Sequence, residues 1–328
     1  MTTRIENEQE QRSLSISMIR LISLIMIITC HIMLALDHEL AWWFNVGVQI
    51  FLCISGYLYG SRDIGETAEF LVKRIKRLLV PYYPVFLITA LLHYIFFRDI
   101  FDFHRFIGGL FAADQLVGGD HLWFVPTILL CYILTVILQP LQKRYVKGRA
   151  SLCLFMVVMV VVTSVVIHFF LNYFNPAWIS CYVIGYVLGI NKVHSYISER
   201  YLLLVIGILA VVNNSIQIYC TYYAQTSFFG FQVWADYNHV LLGVFLFLLL
   251  HTAFSGLKHE RAAQLLHWTD SYSYEIYLVH QFLILGPLSL MQITPYRVIN
   301  IVIICIGSVL LAYILKFVEK IMLIWDNK

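Results

Sequence analysis

The feature that most constrains this chain is the repetition of long apolar runs. They recur at lengths of about 17–25 residues, which is what a helix needs to cross roughly 30 Å of hydrocarbon. Read as spans, they fall at 14–36, 43–60, 78–97, 122–139, 151–171, 177–191, 201–218, 238–254, 271–292 and 297–320. Only 12% of the residues are charged, whereas a soluble domain carries about a quarter. A mean hydropathy of +0.78 over the whole chain shows that the apolar residues are not gathered into one core. The runs are apolar all round, unlike soluble amphipathic helices. They also lack the short alternating segments of a membrane barrel. Helices that satisfy their own backbone groups remain. The predicted fold class is therefore all-α, a polytopic membrane bundle of about ten transmembrane helices. The predicted organisation is an N-terminal tail over 1–13, a membrane domain over 14–320 and a C-terminal tail over 321–328.

Charge placement gives the bundle an expected orientation. With the N-terminus in the cytoplasm, the inner groups are Arg4 and Arg12; Arg62, Lys73, Arg74, Lys76 and Arg77; Lys143, Arg144, Lys147 and Arg149; Lys192 and Arg200; Lys258 and Arg261; Lys316, Lys320 and Lys328. The outside receives Arg98, Arg105 and Arg297, so 18 cations face 3, with Arg20 left inside a span. The positive-inside rule selects this orientation, with both termini and both tails cytoplasmic. The first run is too long for a signal peptide, and no small-residue cleavage site follows it. The net charge of +3 gives no support to nucleic-acid binding. The seven cysteines are odd in number, mostly inside apolar runs and without a CxxC pair. They read as small apolar fillers, with neither a disulfide framework nor a metal-site spacing, and no metal is expected.

Polar residues inside the runs are the candidates for chemistry. Arg20 and His31 are eleven positions apart, and at about 100° per residue they share one face of the first span. An arginine within a span usually faces protein or water. This stripe therefore sets a fixed cation toward the inner opening and an imidazole about 16 Å deeper. A purely structural reading stands beside it, with Arg20 snorkelling and His31 hydrogen-bonded in the bundle. Arg74 and Arg77 share a helical face and can grip phosphates through fork-like hydrogen bonds, or serve only as an inner anchor. The stretch Arg98–His121, with glycine pairs at 108–109 and 118–119, reads as an outer binding surface or as a solvated loop. Asp120-His121-Leu122-Trp123-Phe124 opens the fourth span. Its Trp123 is either an interfacial anchor or a stacking face for a sugar. In the ninth span Ser273, Tyr277 and His280 share a face, while Glu275 lies about 140° away from His280. A buried Glu and a buried His point to function or to a structural hydrogen-bond network.

Five separated features together resemble the integral-membrane acyltransferase family 3, whose members O-acylate bacterial surface glycans. They are Arg20…His31; Phe51-Leu52-Cys53-Ile54-Ser55-Gly56-Tyr57-Leu58; Arg74…Arg77 followed by Pro81-Tyr82; Leu122-Trp123-Phe124-Val125; and Tyr274-Glu275-Ile276-Tyr277-Leu278-Val279-His280. They occur in the family's order over about positions 13–285. Cys53 stands where many relatives carry an aliphatic or aromatic residue. The resemblance implies transfer of an acyl group, acetyl being expected, from cytoplasmic acyl-coenzyme A to a hydroxyl of a cell-surface polysaccharide or its lipid-linked precursor. It implies a bacterial cytoplasmic membrane location and no permanently bound cofactor, with acetyl-coenzyme A as co-substrate. On this reading His31 is the general base or a transient acyl carrier, and Arg20 lines the entry. Glu275 or His280 orients His31 or shuttles the released proton. Arg74 and Arg77 hold the coenzyme's phosphates, and Trp123 and His121 receive the acceptor. A glycan exporter is the alternative, since buried charges also suit a permeation path. Two matching halves with Gly/Pro-broken helices are not visible, and paired arginines suit a phosphate-bearing donor better than a neutral glycan. A non-catalytic scaffold leaves the shared face of Arg20 and His31 without a purpose. Acceptor identity and oligomeric state stay open.

Overall fold

The computed structural model describes residues 2–255 and 260–326, with side chains described for 14–255, 264 and 266–322. Lys258 and Lys328 lie outside the described residues, as do the side chains of Arg4, Arg12 and Arg261. All regular structure among the described residues is helical: α1 (Thr2–Ala35), α2 (Ala41–Phe44), α3 (Val46–Gly60), α4 (Thr67–Phe96), α5 (Phe103–Leu110), α6 (Phe124–Tyr145), α7 (Arg149–Phe170), α8 (Pro176–His194), α9 (Glu199–Ile218), α10 (Phe231–Phe254), α11 (Glu260–Ile284) and α12 (Arg297–Asp326), with short 3-10 and π turns. Eight segments are long and apolar enough to cross a membrane: Leu14–Ala35, Ala41–Gly60, Thr67–Phe96, Asp120–Tyr145, Arg149–Phe170, Glu199–Tyr223, Phe231–Phe254 and Arg297–Met322.

The two remaining expected spans also form helices, with different limits. The run 177–191 lies on α8, which is buried along almost its whole length. The run 271–292 does not stay helical to its end. Helix α11 starts earlier, at Glu260, and stops at Ile284, just before Gly286 takes φ +80° and Pro287 follows. Proline and a left-handed glycine both end helices. The basic run Lys73–Arg77 likewise lies on α4 itself, which begins at Thr67 rather than at 78. Lysine and arginine are good helix formers, so the helix extends through them.

The chain divides into two compact units, one of residues 1–23, 45–64 and 133–266, the other of 24–44, 65–132 and 267–328. In the first unit α3 and α8 pack backbone to backbone. A Cβ at Gly56 or Gly60 would overlap the carbonyl oxygens of Tyr182 and Tyr186, and one at Gly185 or Gly189 would overlap those of Cys53 and Tyr57. Glycines four apart on both helices permit this approach, the small-residue packing that drives helix association in lipid. The thiol of Cys181 donates to the Gln49 carbonyl 3.1 Å away within the same seam. Asn175 starts α8 by accepting from the Ala177 N–H at 2.8 Å, with Pro176 at the first helical position, the preferred chemistry of a helix start.

The second unit holds α4, α5, α12, the C-terminal part of α1, the first part of α6 and most of α11. The stretch 98–121 is folded, with a 3-10 turn at Arg98–Ile100, then α5. Asp102 caps α5, accepting from the His104 and Arg105 N–H groups at 2.8 and 3.3 Å. Two tyrosines of α4 fasten its end, Tyr82 donating to the Gly109 carbonyl at 2.6 Å and Tyr83 to that of Leu110 at 3.2 Å. Ala112, Leu116 and His121 are buried. Gly118, at φ +79°, touches Gly286, at φ +80°: a Cβ on Gly286 would come within 2.7 Å of the Gly118 Cα. This contact brings the approach to His121 against the exit from α11.

Candidate active site

Three imidazoles meet in the second unit. His31 comes from α1, His121 from the 3-10 turn Asp120–Trp123, and His280 from α11. The His31 and His280 ring centres are 5.1 Å apart at 56°, those of His121 and His280 5.4 Å apart at 74°, and those of His31 and His121 6.3 Å apart at 71°. These are the tilted and edge-on contacts that aromatic rings favour. His121 and His280 are fully enclosed, while His31 keeps some exposure. Tyr277, one turn before His280, packs its ring 5.4 Å from His121 and 5.7 Å from His280. Its hydroxyl donates to the backbone carbonyl of His121. Phe282 closes another side, 5.2 Å from His121. Ile32, the neighbour of His31, is buried against Ile284, Met291 and Ile304.

Helix α11 holds two of the rings through its own carbonyls. The Nε2 of His121 lies 3.0 Å from the Leu278 oxygen, and the Nδ1 of His280 lies 2.7 Å from the Tyr277 oxygen. One nitrogen on each ring is buried without a hydrogen-bond partner: Nδ1 of His31, Nδ1 of His121 and Nε2 of His280. Buried polar atoms are ordinarily satisfied, so three unpartnered nitrogens in one cluster single it out as the candidate site. Among the described residues no group of three or more His, Cys, Asp and Glu side chains is arranged to hold a metal ion.

The other sequence candidates are distributed as follows. His121, expected with Trp123 at an outer sugar-receiving loop, is 2% exposed and sits among the imidazoles instead. Trp123 is half-buried, edge-on to Phe124 at 6.1 Å, and its carbonyl accepts from the Thr127 hydroxyl at 2.9 Å. Glu275 is buried, and Lys316 of α12 donates to its carboxylate at 2.6 Å. Lys316 also lies 3.0 Å from Glu319. Sequence reasoning missed this partner by counting Lys316 with the cations of the C-terminal end. The signal was available, because a carboxylate inside a span calls for a cation inside another. Arg74 is half-buried with its guanidinium 5.6 Å from the Phe70 ring centre, and Arg77 is exposed. Arg20 is half-buried and belongs to the first unit.

A cluster of imidazoles in an apolar surround is suited to moving a proton during group transfer, and a family model names the group. A family model described as an acyltransferase domain, that of acyltransferase family 3, matches residues 13–317. The chain belongs to acyltransferase family 3. This acyltransferase is a multi-pass membrane protein, with all three histidines inside the matched region. No curated protein and no solved structure gives a match.

Proposed function

We propose that the protein moves an acetyl group from cytoplasmic acetyl-coenzyme A to a hydroxyl of a cell-surface polysaccharide or its lipid-linked precursor. It works in a bacterial cytoplasmic membrane, with both termini in the cytoplasm and no permanently bound cofactor. The observation that carries the reading is the imidazole of His31, lodged against two further imidazoles with a buried nitrogen left unpartnered. Transfer from a thioester to a hydroxyl needs a group that takes the hydroxyl proton as the oxygen attacks, and an imidazole does this near neutral pH. His31 takes that proton, the carbon–sulfur bond breaks, and the proton passes to the departing thiolate to release coenzyme A.

Arg74 and Arg77, three apart on α4, hold the phosphates of the donor through charge-assisted hydrogen bonds. Arg20 lines the way in for the pantetheine arm. Trp123 offers a stacking face to the acceptor sugar. Acetyl transfer from radiolabelled acetyl-coenzyme A into glycan, measured in washed membranes at matched expression, tests the reading. Label that depends on His31 is the expected result; equal labelling by the wild type and His31→Ala would overturn it.

A further inference from the structure

The backbone decides the tautomers of two of the three imidazoles. The Nδ1 of His280 lies 2.7 Å from the Tyr277 oxygen and 3.2 Å from the Ile276 oxygen. A carbonyl only accepts, so this Nδ1 carries the hydrogen, and the neutral ring has its lone pair on Nε2. That Nε2 is buried without a partner. His121 is arranged the other way round. Its Nε2 donates to the Leu278 oxygen at 3.0 Å, which leaves the lone pair on Nδ1, again buried and unpartnered. Both rings therefore bring an acceptor to the cluster. The third orphan nitrogen there is Nδ1 of His31. Three lone pairs together would satisfy nothing, whereas a hydrogen on Nδ1 of His31 places one donor among two acceptors.

We infer that His121 and His280 are positioning residues that hold His31 as its Nδ1–H tautomer, so that Nε2 is the atom that takes the proton of the acceptor hydroxyl. The inference rests on the reading of His31 as the base of an acyl transfer. The rings are neighbours, with centres 5.1 and 6.3 Å apart, and the inferred arrangement sets the Nδ1–H of His31 on one of these lone pairs when substrate is bound. Catalytic hydrogen bonds commonly tighten in this way when substrate is bound. The hydroxyl proton moves to Nε2 while oxygen bonds the thioester carbon. Sulfur leaves with the carbon–sulfur electron pair and collects the proton from Nε2. The Nδ1 hydrogen stays within the cluster, where the two lone pairs share the positive charge that His31 bears in between. The arrangement does for His31 what a carboxylate does for the histidine of a serine-protease triad. It does so with neutral partners, which add no charge inside a membrane.

The test compares wild type, His31→Ala, His280→Gln and His280→Ala in the acetyl-transfer assay. His280→Ala is expected to lose about 100-fold in kcat, the scale of acid–base assistance, with KM for acetyl-coenzyme A within about twofold. Glutamine can both donate to the carbonyl and accept from His31, so His280→Gln should stay within about tenfold of wild type. Added imidazole should restore His280→Ala, and pyrrole, which has an N–H but no in-plane lone pair, should not. Equal rescue by the two, or full kcat in His280→Ala beside an inactive His31→Ala, overturns the inference alone. Wild-type transfer by His31→Ala overturns the functional reading itself. Should His280→Ala fail to accumulate, an inactive but normally inserted His280→Gln overturns the inference.

Discussion

Removing Lys316 should cost more than removing the glutamate it pairs with. Glu275 is 3% exposed, Lys316 39%, and their contact is 2.6 Å. In Lys316→Ala the carboxylate of Glu275 is stranded in a buried site. Breaking buried pairs in this way costs about 3–5 kcal/mol, and the part-exposure of Lys316 sets the expectation at the lower end, about 3 kcal/mol. In Glu275→Ala the ammonium keeps Glu319 at 3.0 Å and reaches solvent. Its loss is that of one hydrogen bond, about 1 kcal/mol. The double variant strands no charge at 275 and should cost about 2 kcal/mol less than the sum of the singles, the coupling that a double-mutant cycle isolates. SDS titration of the purified protein in mixed micelles, followed by helical signal, measures all three. Glu275→Ala as costly as Lys316→Ala, or an additive double variant, would refute the reasoning.

Gly185→Leu drives a side chain into the backbone of Cys53. Overpacking typically costs about 1–3 kcal/mol, and an immovable carbonyl puts this case at or above the upper end. The yield of folded protein extracted from membranes should fall, while Gly148→Ala, with open space around its Cβ, should be neutral. Arg77→Ala should raise KM for acetyl-coenzyme A about tenfold, the loss of one charge-assisted hydrogen bond. Steady-state kinetics should show kcat little changed, and the KM difference should shrink as salt screens the exposed guanidinium.

The sequence and the structure agree where a local pattern decides the outcome. Apolar runs of spanning length became helices because a helix alone satisfies the backbone in lipid. The boundaries slipped where side-chain polarity and backbone propensity disagree. Lys73–Arg77 are too polar for a span but well suited to a helix, so α4 starts at Thr67. His31 and His280 were legible as buried imidazoles, but their contact was not, since no periodicity links α1 to α11. His121 was misplaced because its neighbours Gly118, Gly119 and Asp120 read as an outer loop. The burial comes from Phe282, Tyr277 and the Leu278 carbonyl, more than 150 positions away. Gly56, Gly60, Gly185 and Gly189 carried a spacing signal that went unread, because a four-residue interval of glycines has meaning only once two helices are known to face each other.

The back-to-back glycines at 118 and 286 couple the turn that carries His121 to the end of the helix that carries His280. Each α-carbon occupies the space that the other's side chain would need. A change at one position cannot be absorbed by trimming the other, which has nothing left to trim. A side chain added at either glycine therefore has to part the turn before His121 from the end of α11.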